Sequence, residues 1–117
     1  MANSRIDRIN EEVKKDLAEV IREMKDDRIP VMTSVVKVSV TPDFKYAKAY
    51  ISIMGTEEEK AKGIAAIKNA AGFIRREMAG RTNLRITPQF SFVLDDSIEQ
   101  GAHINQLLHD LAKKEQD

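Results

Sequence analysis

The side chains best suited to acid–base or metal chemistry in this 117-residue sequence are His103, His109 and the adjacent pair Asp95 and Asp96. Their spacing argues against both uses. Two histidines six apart on a helix sit about 240° around it, so they cannot ligate one metal together. Neighbouring carboxylates at a strand end point to different faces, and capping the next helix is the simpler role for them. The chain has no cysteine, which removes thiolate metal sites and disulfides alike. It carries no nucleophile elbow, Walker loop or zinc-ligand pattern. The expectation is a protein that is not an enzyme and takes no metal, cofactor or small-molecule substrate.

Cations offer a different chemistry. Arg75, Arg76, Arg81 and Arg85 fall within eleven residues against one acid, Glu77. A planar guanidinium donates in pairs to phosphate oxygens and stays charged. Arg5 and Arg8 lie three apart at a helix end where the only local acid is Asp7, and Lys37, Lys45 and Lys48 lie on or near one hairpin. These nine residues are the candidates for contact with a nucleic-acid backbone. Tyr50 could stack on a base, although a tyrosine at a sheet position more often packs. The bland alternative is a set of solvated charges. Arg75 or Arg85 could also be spent on internal pairs with Asp95, Asp96 or Glu99, which leaves Arg76 and Arg81 as the cleaner probes.

The elements that position these groups follow from periodicity. Ser4 is a candidate N-cap with Asp7 in capping-box position, and Ile6, Ile9, Val13, Leu17, Val20, Ile21 and Met24 form an apolar helical stripe ending near Lys25. Val36, Val38 and Val40 alternate with Lys37 and Ser39 in a strand over Thr33–Val40. A Pro-Asp turn leads to a return strand, Tyr46–Ile53, with Lys48, Tyr50 and Ser52 on one face and Ala47, Ala49, Ile51 and Ile53 on the other. Thr56 and Glu59 form a second capping box, and a helix continues to a break at Ala70-Ala71-Gly72. Small residues there let two short helices meet closely, so Gly72 reads as structural. After the short basic helix come Pro88 and a strand with Phe90, Phe92 and Leu94 on one side. Asp96 or Ser97 then caps a last helix with Ile98, Ala102, Ile104, Leu107, Leu108 and Leu111 as its apolar positions. A single domain over residues 1–112 and a charged, fraying tail, Lys113–Asp117, complete the reading.

At 42% hydrophobic the chain can bury about two-thirds of its unfolded surface in one core. No stretch resembles a signal peptide or a membrane span, so a soluble, cytoplasmic monomer that makes no membrane contact is expected. Net charge is zero but unevenly spread. Residues 1–30 hold seven basic and eight acidic side chains, residues 31–88 ten against five, and residues 89–117 two against six. Because screening sets in within about 8 Å, a basic middle can act locally in a neutral protein.

The helix–strand–strand–helix–bend–helix–strand order resembles a type II KH domain, an α+β fold with helices packed on a three-stranded sheet. An ordinary KH domain has a GxxG loop between the two helices that meet. Here Ala70-Ala71-Gly72 stands in its place, an Ala-x-Gly bend that resembles the one in the ribosome-binding factor A family. Further segments carry that resemblance: Arg5–Ile9, Lys25–Ile29, Ala47–Ser52, Ala70–Arg75, Leu84–Pro88 and Asp96–Gly101. Two departures are visible. Asp27 stands where the family usually has proline, and the turn Val40–Tyr46 is about two residues longer than is usual there. The resemblance implies a non-catalytic assembly factor that binds the immature small ribosomal subunit, acts in maturation of the 5′ region of 16S rRNA and supports growth in the cold. The runner-up is a protein-interaction module without RNA contact, using the sheet edge or the acidic C-terminal helix.

Overall fold

The apolar stripe of the first helix decides where the helical layer lies. In α1 (Ser4–Glu23) the residues Val13, Leu17, Val20 and Ile21 are all buried, as a spacing of three and four requires. The computed structural model describes residues 4–95, with Ser4 already helical. The last helix expected from Asp96 onward, its cap, both histidines and the 113–117 tail lie outside the described residues. α1 ends where Lys25 takes a left-handed conformation, φ 51°.

β1 (Thr33–Val40) and β2 (Tyr46–Ile53) pair antiparallel, and β3 (Gln89–Leu94) pairs parallel with β2, so β2 is central. The parallel pairing requires a long crossover. It is supplied by α2 (Glu57–Asn69) and α3 (Ala71–Arg81). The helices α1, α2 and α3 cover one sheet face, where Ala47, Ala49, Ile51, Phe90 and Phe92 meet Leu17, Ile67, Ile74 and Met78. The chain is therefore α+β, with the expected KH-like order.

Three details depart from the sequence reading. Val35 pairs with Ile51 while Lys37 pairs with Tyr50, so Val36 is the extra residue of a β-bulge. Val35, Val38 and Val40 are buried in consequence, and Val36 is only half-buried. The helix break falls at Ala70 (φ −91°, ψ 9°), and Gly72 sits exposed in the first turn of α3. A Cβ on Gly72 would meet nothing nearer than Arg76 Nη1 at 3.8 Å, so crowding does not explain that glycine. Gly63 is the crowded one. A Cβ there would lie 2.9 Å from Ile53 Cδ1 and 3.1 Å from Pro30 Cδ, because α2 closes onto β2 and the loop before β1.

Candidate nucleic-acid interface

Strand direction gathers several of the candidate cations at one end of the sheet. The 41–45 turn, the start of α1 and the lead-in to β3 all lie there. Asn10 Oδ1 on α1 accepts the Val40 amide at 3.0 Å, and Gln89 N donates to the Lys45 carbonyl at 2.9 Å. Arg5, Ile6 and Ile9 of α1 face Pro42 and Phe44 of the turn across a shallow cleft of about 290 Å³. The turn is held by Thr41 and Asp43. Phe44 N donates to the Thr41 carbonyl at 2.9 Å, and Asp43 Oδ1 accepts the Thr41 hydroxyl at 2.7 Å and the Lys45 amide at 3.0 Å. Those bonds hold the Asp43 carboxyl below the usual carboxylate range and spend its charge locally. Phe44 takes φ 60° there, an uncommon value for a bulky residue, and packs against the core.

Arg75 closes the same end. Its Nε and Nη2 donate to the Thr87 carbonyl at 3.3 and 3.2 Å, tying α3 to the segment that enters β3. Arg8, Lys45, Arg76 and Arg85 are exposed and make no ion pair among the described residues. Neither Arg75 nor Arg85 pairs with Asp95; Asp96 and Glu99 lie outside the described residues.

The remaining candidates go elsewhere. Lys37 and Lys48 stand on the outer sheet face, with the sheet between them and the α3 arginines. Their Nζ atoms lie 5.8 and 5.4 Å from the Tyr50 ring centroid. Arg81, expected to be one of the two cleaner phosphate probes, is instead committed to α1. Its guanidinium pairs with Glu23, with Glu19 at 3.6 Å and with Glu77 at 4.0 Å. The neighbouring cleft is lined by Glu12 and Asp16 as well as Lys15, and burial with Glu19 close by pushes the Asp16 carboxyl up. Five carboxylates around two cations make a poor phosphate site. No sequence signal marks this pairing, because Arg81 and Glu23 are 58 positions apart.

The opposite end of the sheet is acidic, and three of its cations, Arg28, Lys60 and Lys62, are paired. Thr56 caps α2 through the expected capping box, with bonds of 3.1 and 3.0 Å. Those bonds keep the Glu59 carboxyl below its ordinary value. Lys62 pairs with Glu58 at 3.2 Å, the buried Lys60 lies 3.4 Å from Glu57, and Arg28 forks onto Asp26 at 2.7 and 3.0 Å. Among the described residues no His/Asp/Glu cluster could hold a metal, and no helix is long and apolar enough to cross a membrane.

The family model of ribosome-binding factor A matches residues 5–108. The ribosome-binding factor A of Acetivibrio thermocellus is 50% identical over 107 residues, spanning 91% of this chain and 87% of its own. The crystal structure of ribosome-binding factor A from Thermus thermophilus superposes with a TM-score of 0.68 at 22% identity, over 76% of this chain and 94% of that one. A Thermus thermophilus homology model fitted into a cryo-EM map of a complex with the 30S subunit superposes with a TM-score of 0.61 at 24% identity, over 73% and 89%. By both sequence and fold, this chain belongs to the ribosome-binding factor A family.

Proposed function

We propose that this protein binds the small ribosomal subunit through the end of the sheet that carries Arg5, Arg8, Lys45, Arg75, Arg76 and Arg85. It acts there as a cytoplasmic, monomeric, non-catalytic factor in late maturation of 16S rRNA, including its 5′ region, and supports growth in the cold. The observation that carries this reading is the distribution of free charge. In a chain of zero net charge, the exposed Arg8, Lys45, Arg76 and Arg85 at the turn end make no ion pair among the described residues, whereas Arg28, Lys60 and Lys62 at the other end are paired. Family membership, and the 30S complex of the Thermus relative, support this choice of partner. Guanidinium and ammonium groups on a rigid scaffold fix a protein against a phosphate backbone with little reading of bases.

A protein-interaction module is the second reading. It is favoured by the exposed Val31, Met32 and Met54 at the acidic end. Sedimentation through a sucrose gradient separates the two. Small-subunit association that falls with salt supports RNA contact, and a salt-insensitive complex supports protein contact. Charge reversal of Arg8 and Arg76 together should weaken subunit binding and flatten the log-affinity against log-salt slope by roughly one to two units. Wild-type affinity with an unaltered slope in that double variant removes the turn end from the interface.

A further inference from the structure

The outer face of the sheet carries a feature that phosphate positioning by the turn end does not use. Along β2 the outward residues read Tyr46, Lys48, Tyr50, opposite the buried Ala47, Ala49 and Ile51. Tyr46 is 57% exposed, and Tyr50 is half-buried between the Lys37 and Lys48 ammonium groups. At about 3.3 Å per residue the two rings stand roughly 13 Å apart on one side of one strand, with a cation between them. Their flanks are low, and polar except for Val93 beside Tyr50. Ser39 and Ser91 lie either side of Lys48, and Gln89 lies beside Tyr46. Among the described residues the strip itself holds no acid. Asp43 sits beyond one end of it, committed to Thr41 and the Lys45 amide, and Asp95 beyond the other.

Aromatic rings separated by cations on a flat strand form a stacking platform. Each base offers a π-face to a ring whatever its sequence, and lysines between the rings meet the phosphates. Tyr46 directly follows Lys45, so the strip continues the cationic turn end up the solvent face of the sheet. From this arrangement we infer that the Tyr46–Lys48–Tyr50 strip, flanked by Lys37, binds a single-stranded RNA segment, stacking bases on the two tyrosines. The inference rests on the RNA-binding reading above and adds a second contact surface of a different kind. The lysines now lying against Tyr50 are exposed, so they can swing from the ring to a phosphate when a base takes their place.

The chain has two tyrosines and no tryptophan, so its intrinsic emission comes from these two rings alone. The probe is a single-stranded adenosine octamer titrated into the intact protein at low salt, following tyrosine emission corrected for RNA absorbance, with anisotropy of a labelled octamer in parallel. Saturable quenching is expected. Tyr46→Phe with Tyr50→Phe should keep octamer affinity within about twofold, and Tyr46→Leu with Tyr50→Leu should lose roughly tenfold or more. Tyr46→Leu alone, at an exposed position, should lose at least about threefold, which keeps the test decisive if the double leucine variant misfolds. Equal affinity of the phenylalanine and leucine variants, quenching by duplex RNA or poly-glutamate as strong as by the octamer, or no quenching at saturation would each overturn the platform. Small-subunit sedimentation is run on the same variants and on Arg8→Glu with Arg76→Glu. Loss of subunit binding only in the arginine variant, with unchanged octamer affinity in the leucine variants, sinks the platform and leaves the turn-end reading standing. A wild-type protein that never sediments with small subunits sinks the turn-end reading, while the octamer result still decides the platform.

Discussion

Reversing Arg81 should unseat α3 from α1, whereas reversing Arg76 should leave the fold untouched. Arg81 is 29% exposed and touches three carboxylates, Glu19, Glu23 and Glu77, two of them on α1. An exposed ion pair contributes about 0.2–1 kcal/mol, so a three-membered network on a largely covered guanidinium contributes about 1–2 kcal/mol. Arg81→Glu removes that attraction and places a fourth carboxylate among the three, for a total cost of about 2–3 kcal/mol. For a domain of this size that corresponds to a fall in Tm of roughly 8–18 °C. Arg76 is exposed and makes no ion pair among the described residues, so Arg76→Glu should stay within about 0.5 kcal/mol of wild type. Thermal melts followed by circular dichroism at low and high salt give both numbers, and the Arg81 effect should shrink in salt. Subunit sedimentation below the melting range then separates the roles. Arg76→Glu should weaken binding at unchanged stability, and Arg81→Glu should retain binding per folded molecule. If Arg81→Glu melts within two or three degrees of wild type, the network does not hold α3, and Arg81 returns to the phosphate candidates.

Two further predictions follow from local geometry. Gly63→Ala puts a Cβ 2.9 Å from Ile53 Cδ1 and 3.1 Å from Pro30 Cδ, and overpacking of about 1–3 kcal/mol outweighs a helix-propensity gain of about 1 kcal/mol. Gly72→Ala makes only an ordinary contact, with Arg76 Nη1 at 3.8 Å, and should stabilise by about 0.5 kcal/mol; denaturant titrations that rank the two variants the other way would restore crowding at the bend. Asp26 has its pKa lowered to about 2, first by the Arg28 side-chain hydrogen bond and then by the Arg28 amide. Since its folded pKa lies below its unfolded value, its contribution is present above about pH 4 and is lost as pH falls through 2. Arg28→Ala keeps the backbone bond, so carboxylate NMR should show the Asp26 midpoint rising part of the way to 3.8 and the acid-side loss of stability flattening; an unmoved midpoint would refute the pairing in solution.

How much of this was readable without coordinates depends on the range of the interaction. The α1 stripe, the Thr56–Glu59 capping box and the hairpin are set by residues within a few positions of one another, and each appears where periodicity put it. The bulge at Val36 was not readable, because Val35 and Val36 are chemically identical and only the β2 register decides which faces inward. Gly72 drew attention because glycine in a helix looks costly, yet the break falls at Ala70, whose negative φ of −91° needs no glycine. Gly63 escaped notice because its reason lies in Pro30, 33 positions away, and in a neighbouring strand. For the candidate cations the limit is the same. The sequence lists charges, but whether a guanidinium is available depends on carboxylates brought in by packing. That separates Arg81 from Arg76 although the two sit five residues apart on one helix.

The helix starts extend this charge argument. α2 begins at the acidic end with a complete capping box and Glu57, Glu58 and Glu59 in its first turn, which offsets the positive end of its dipole. α3 begins near the lead-in to β3, where Ala70 provides no side-chain cap and the first turn contains no acid. No first-turn carboxylate of α3 therefore stands against a phosphate approaching Arg75 and Arg76. An acid introduced into that first turn, as in Gly72→Glu, should make the α3 helix start more favourable electrostatically while opposing phosphate. Stability and subunit affinity would then move in opposite directions. A variant in which both fall together would mean that the start of α3 faces no anion and that the turn-end cations act without it.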